Sequence, residues 1–348
     1  MTRLPCKRLL ILILVLLSAT LQMNWVLSDE KDSSSTIAIQ FHEALVSGDD
    51  ELALSLTSDE VSLTFHDAQS VTPFSGQFYS KTGLRRFFAV RNETLANQVF
   101  ELREVIATND TIAIRGTLSG HVIATGGRYS LESIALISVE EAGISRVDQY
   151  LDTATLHDAF KEPNFYRGRA WFGTCVGCHG NSGEGNFAMN GPNITGQRYD
   201  YILRQMRNYA TGLRGGVDDY YGWQMNGRVN ALPGDRAHRD VAYFVSELET
   251  IVPEPTIQAD VDAGRKIYQT CVACHGSRGE GNRQVGSPAL STLNDWYLVR
   301  QIELYRTGVR GAHPDDAFGQ TMRAIAVNSL KDSDDIRNVA AYIARLKP

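Results

Sequence analysis

The stretches "TCVGCHGNSGEGN" (174–186) and "TCVACHGSRGEGN" (270–282) are near copies, each with Cys-x-x-Cys followed at once by His. How they are read decides how the second half of the chain folds. Cys175, Cys178, Cys271 and Cys274 are four of only five cysteines, the fifth being Cys6 at the extreme N-terminus. A redox-active Cys-x-x-Cys of the thioredoxin kind needs a βαβ setting, and the flanking patterns lack one. A zinc ribbon separates its cysteine pairs by about 15–20 residues, whereas Cys178 and Cys271 are 93 positions apart. One shared centre would also leave the duplicated histidines unexplained. Cys-x-x-Cys-His is the attachment sequence of c-type haem: two thiols add to the two vinyl groups of one porphyrin, and the adjacent His lies beneath the iron. The four cysteines then divide into two self-contained sites, one with His179 and one with His275.

The repeat extends well beyond the pentapeptides. At an offset of 96, "GRAWFGTCVGCHGNSGEGN" (168–186) lies over "GRKIYQTCVACHGSRGEGN" (264–282), and "YATGLRGG" (209–216) over "YRTGVRGA" (305–312). "RDVAYFVSEL" (239–248) then lies over "RNVAAYIARL" (337–346). A unit of about 90 residues is small for an unaided hydrophobic core and calls for a staple. "ETIVPEPTIQAD" (249–260), with Pro253 and Pro255, reads as a short stiff linker between the copies. Within each copy the periodicity predicts helices over 168–174 and 264–270, near 200–209 and 295–305, and at the close after Asp240 and after Ser333 or Asp334.

The sixth ligand to each iron must come from elsewhere in its copy. Met225 follows His179 by 46 residues and Met322 follows His275 by 47, whereas Met189 and Met206 face Val285 and Ile302 in the repeat. A thioether opposite imidazole raises the reduction potential and closes the iron to outside ligands, which suits electron transfer. Core packing is the bland alternative for both methionines. His238 and His313 are rival ligands without counterparts in the other copy. Pro192 and Pro288 each follow the ligand His by 13 residues, and their carbonyls are candidates to accept the His Nδ1–H and fix the ring.

Residues 29–163 carry 10 Lys/Arg and 21 Asp/Glu, a net of −11, which argues against nucleic-acid binding. The N-terminus has the form of an export signal: Arg3, Lys7 and Arg8 precede an apolar run over 9–17. Residues 1–28 are therefore expected to be a signal peptide or an uncleaved anchor, and either places the body outside the cytoplasm. Residues 34–160 change character. Helices are expected over 36–47 and from Asp49, followed by alternating runs at 61–65, 99–107, 111–118 and 129–139 that suggest a curved antiparallel sheet.

Residues 164–348 resemble two tandem class I cytochrome c domains, as in di-haem cytochromes of the c-four type, at 164–250 and 258–348. The resemblance rests on the Gly-aromatic helix, the pentapeptide, the proline, the methionine segment and a closing helix with Phe244 or Tyr342. It departs from the family at "GWQM" and "GQTM", where longer methionine loops are usual. Residues 34–160 resemble the SnoaL-like branch of the nuclear-transport-factor-2-like fold, through "IAIQFHEALVSGDDELALSLTSDEVSLTF" (37–65) and "GISRVDQYLDTATLHDAF" (143–160). The expected fold is thus multidomain: an α+β cone followed by two all-α cytochrome domains. The resemblance implies two covalent haem c groups and a periplasmic carrier of single electrons. Its expected partners are a membrane-bound oxidase or reductase, or a periplasmic dehydrogenase, with the cone binding a ligand or forming a homodimer. The competing reading is a haem-dependent oxidoreductase whose substrate binds near one haem or in the cone, where Asp152, His66 and His121 would be the acid–base candidates.

Overall fold

The computed structural model describes residues 31–67, 71–108 and 111–347; the export-signal reading of residues 1–28 lies outside them. Helices α1 (Lys31–Ser47) and α2 (Asp50–Ser55) open the chain, and the Asp49 carboxylate caps α2 by accepting from Leu52 N at 3.1 Å. Strands β1 (Thr57–His66) and β2 (Gly76–Tyr79), helix α3 (Ser80–Thr94), and strands β3 (Leu95–Ala107), β4 (Ile112–Val122), β5 (Arg128–Glu140) and β6 (Gly143–Leu151) follow. Helix α4 (Thr153–Phe160), capped by Asp152, ends this part.

The six strands form one sheet in the order β2-β1-β6-β5-β4-β3. Alternation sets its faces: in β5, Tyr129, Leu131, Ser133, Ala135 and Ile137 are buried and the residues between them point the other way. Helix α1 lays Ala38, Phe41, Ala44 and Leu45 on the concave face, together with Phe87 and Phe88 of α3. The sheet is not wholly antiparallel, because β1 pairs with β6 in parallel, with Leu63 opposite Val147. Such a pair needs a long crossover, and the crossover here runs through α3 and the β3–β5 meander. Residues 76–94 and β6 lacked an alternation strong enough to be read from the sequence.

The helical half comprises α5 (Phe165–Phe172), α6 (Val176–His179), α7 (Tyr199–Ala210), α8 (Tyr220–Asn230) and α9 (Gly234–Ser246), then α10 (Val261–Tyr268), α11 (Val272–His275), α12 (Asp295–Arg306), α13 (Ala317–Ser329) and α14 (Ser333–Ile343). The second set repeats the first element by element, and each set has its own apolar core. In each, the first helix crosses the last at an aromatic pair, Phe172 on Phe244 at 5.2 Å and Tyr268 on Tyr342 at 5.4 Å. A glycine makes that crossing possible. A Cβ on Gly168 would lie 2.0 Å from the Asp240 carbonyl oxygen, and one on Gly264 would lie 2.0 Å from that of Asn338. The closing helix of the first set starts at Gly234, ahead of the expected Asp240, and α8 and α13 occupy segments where no helix was expected.

The acidic first domain sits against the first set of helices through a basic face. Arg236 pairs with Asp158 at 2.9 Å, and Arg207 donates to the Gly126 carbonyl at 2.7 Å. Arg239, 1% exposed, donates to the carbonyls of Lys161 and Asp158.

Gly264→Ala should lower stability by at least about 1–3 kcal/mol, the usual cost of overpacking, because backbone must move to admit the methyl. Gly177→Ala, whose Cβ meets nothing within 4 Å and whose counterpart is already Ala273, should be near neutral. Denaturant midpoints of the two variants measure the difference.

Candidate functional site

Each Cys-x-x-Cys-His run folds into one helical turn, α6 or α11, with the first cysteine at its N-cap. His179 N donates to Cys175 O at 3.0 Å and His275 N to Cys271 O at 2.9 Å. Glycine ends each turn, at φ 80° for Gly180 and 81° for Gly276, a conformation that side-chain-bearing residues rarely adopt. The chain then doubles back in a short loop closed by the bridges Asn186–Gly191 and Asn282–Ser287. That reversal brings the proline carbonyls against the histidine rings.

His179 Nδ1 lies 2.8 Å from Pro192 O, and His275 Nδ1 lies 3.0 Å from Pro288 O. The carbonyl can only accept, so Nδ1 carries the proton and Nε2 is left as a lone-pair donor. Burial pushes both imidazoles below their ordinary pKa, with the carbonyl hydrogen bond opposing in part. A neutral ring with a fixed tautomer is the state in which histidine binds a metal. Cys175, Cys178, Cys271 and Cys274 are half-buried and none pairs in a disulfide, and burial pushes the Cys175 and Cys271 thiols up.

Beside His275 is a cavity of about 470 Å³ whose wall includes Cys271, Cys274, Pro288 and Met322 with aliphatic side chains of α12 and α14. Two thiols, a fixed imidazole, a thioether and an apolar enclosure are the donor set and cradle that suit haem c. In the first copy Met225 packs against the core cluster that also meets Cys175 and Val176. Both methionines ride on helices, α8 and α13, rather than on the loops usual in the resembled family. His238 Nε2 donates to Val229 O at 3.0 Å, tying α9 to α8, and His313 lies at the surface near Asp315.

In the first domain none of the three acid–base candidates lines the concave face's cavity. His66 stacks on Tyr150 with 4.2 Å between ring centroids and bonds Asp148 at 3.0 Å on the outer face, and His121 is also turned outward. Asp152 caps α4. The concave face instead holds His42, Arg91, Tyr129 and Gln149 around a cavity of about 30 Å³, space for about one water. His42 was missed because it sits within the apolar stripe of α1, where a histidine gives no separate signal.

Comparisons with known proteins find a family for each part of the chain. The cytochrome c family matches residues 261–347, and the SnoaL-like domain family matches residues 38–147. The chain is 31% identical over 229 residues to the cbb3-type cytochrome c oxidase subunit FixP of Bradyrhizobium diazoefficiens, covering 58% of this chain and 76% of that protein. The chain belongs to the cytochrome c family. It is also 29% identical over 185 residues to cytochrome c4 of Azotobacter vinelandii, covering 49% of this chain and 84% of that one. The crystal structure of reduced recombinant cytochrome c4 from Pseudomonas stutzeri aligns at 26% identity and a TM-score of 0.44, covering 53% of this chain and all of that one. The protein is thus a c-type cytochrome of electron transfer with covalently bound haem c and a SnoaL-like domain in front.

Burial pushes the His42 imidazole of this cytochrome down from 6.5 to about 4. The folded cone therefore binds that proton less readily than the unfolded chain. The stability this contributes is fully present above pH 6.5 and is lost as pH falls towards 4. Thermal midpoints of the cone transition should drop across that window, and His42→Leu should flatten the drop.

Proposed function

We propose that this cytochrome is a periplasmic di-haem carrier of single electrons. Cys175 and Cys178 would hold one haem and Cys271 and Cys274 the other, with His179 and His275 as the imidazole ligands and Met225 and Met322 as the thioether ligands. The observation that carries the reading is the paired hydrogen bond from His Nδ1 to the carbonyls of Pro192 and Pro288 at 2.8 and 3.0 Å. An imidazole held this way in both copies points to two equivalent metal-binding rings. Bound haem c supplies one-electron chemistry at iron, and an imidazole–thioether ligand pair places its potential high. The chain's own part is to bury the rings, fix their tautomer, and keep water from the cavity wall around Met322.

The periplasmic setting rests on the export signal in residues 1–28. Partners of the kind expected are an oxidase subunit or a dehydrogenase, supported by the similarity to FixP and to the thiosulfate dehydrogenase electron acceptor of Thiomonas intermedia, 29% identical over 154 residues. With room for about one water, the cone gives no support to a substrate bound inside it.

Haem quantified per chain as the pyridine haemochrome should come to two, and Cys271→Ala with Cys274→Ala should halve it. Met225→Ala and Met322→Ala should each remove the weak long-wavelength band of thioether-ligated ferric haem from one site and lower that site's potential. An unchanged spectrum and potential in either variant would show that its methionine is not a ligand.

A further inference from the structure

Beyond the shared histidine–proline bond, the two cysteine turns are not held alike. At the 96-residue offset Phe172 lies over Tyr268 and Gly191 over Ser287. Both changes put a hydroxyl in the second copy where the first has none. Tyr268, wholly buried on α10, donates through that hydroxyl to the Gly276 carbonyl at 2.7 Å. Ser287 Oγ donates to the Cys274 carbonyl. The two accepting residues stand on either side of His275 in the chain.

Each hydroxyl adds a tie that the first copy lacks. The Gly276 carbonyl also receives Gly279 N, but at 3.4 Å, so the Tyr268 bond is the shorter hold on the residue that ends the turn. Burial pushes the Tyr268 phenol up, which keeps it a proton donor across the ordinary pH range. Ser287 immediately precedes Pro288, whose carbonyl lies 3.0 Å from His275 Nδ1. The proline segment is thus tied to the cysteine turn twice, at Cys274 and at His275. In the first copy Gly191 comes so close that a Cβ on it would stand 1.9 Å from the Cys178 carbonyl oxygen. Backbone contact closes that gap, where the second copy uses a side-chain hydrogen bond.

We infer that Tyr268 and Ser287 are positioning residues of the second haem site alone: they hold the carbonyls on both sides of His275 and raise the potential of the iron that His275 binds. The inference rests on the two-haem reading. A carbonyl oxygen beside a ligand carries partial negative charge, which favours oxidised iron. A hydroxyl proton aimed at that oxygen offsets the charge and so favours the less positive, reduced iron. Hydrogen bonding around the ligands is one of the levers that set a haem potential. The effect is stronger out of water, and His275 is only 7% exposed. Each hydroxyl acts through the backbone it holds, not as a ligand.

The test uses the full-length holoprotein, with haem counted before redox titration and the second haem identified as the one missing after Cys271→Ala with Cys274→Ala. Two haems per chain are expected; one would overturn the two-haem reading and this inference with it. Tyr268→Phe and Ser287→Ala each remove one hydroxyl and little else, and Phe is what the first copy already carries. Each should lower the midpoint potential of the second haem and leave that of the first in place. At a fixed applied potential the reduced-to-oxidised ratio of the second haem should fall by at most about tenfold per variant, the ceiling for one neutral hydrogen bond. With two haems present, an unmoved second midpoint in either variant, or an equal fall at both haems, would overturn the inference alone. A lower denaturant midpoint with an unmoved potential would mark the hydroxyls as struts only and overturn it as well. Should Tyr268→Phe fail to accumulate, Ser287→Ala carries the same test.

Discussion

A single hydrogen bond, from a histidine Nδ1 to a proline carbonyl thirteen residues further on, is what the helical half is arranged around. To make it, the chain must turn sharply after the histidine, run out, and return close against the cysteine turn. The glycine at positive φ permits the first reversal, and the bridge from Asn186 to Gly191 or from Asn282 to Ser287 closes the second. The bond fixes which ring nitrogen holds the proton. Burial keeps the ring neutral and the other nitrogen available.

Packing then supports that bond from a distance. The Gly168 and Gly264 crossings let the helix entering each cysteine turn lie directly on the closing helix, so the turn is anchored to the core by backbone contact. Aromatic pairs beside each crossing pack the two helices together. The two sets are joined by arginines that reach across the seam to glutamine, tyrosine and backbone acceptors, in an arrangement that repeats with the sequence. The first domain joins by a different device, a basic face of α7 and α9 that meets Asp158 and nearby carbonyls. In the second copy Glu303 replaces Arg207 and Asp334 replaces Arg236, so only the first copy carries this face.

The cone shows how little separates the two faces of a sheet. Leu63 and Phe65 line its inner cavity, whereas His66, one residue later, stacks outside on Tyr150. A one-residue step along a strand reverses the side chain, so residue type alone did not place His66 or His121 with respect to the cavity. His42, which does face it, comes from a helix whose apolar stripe hides a single polar member.

Local spacing settled much by itself. Cysteines three apart with an adjacent histidine fit one helical turn, and the 96-residue offset marks two copies of that turn, because a duplicated sequence repeats its own local geometry. The proline carbonyl was legible for the same reason: a fixed count of 13 residues recurs in both copies. The parallel pairing of β1 with β6, the helices carrying Met225 and Met322, and the crossed arginines were not legible. Each depends on which distant segment lies alongside, and strings such as "TGLRGG" and "TGVRGA" repeat without saying what they face. Only the tertiary structure decided that Arg214 and Arg310 meet across a seam, because burial and charge balance belong to surfaces brought together by folding, not to neighbours along the chain.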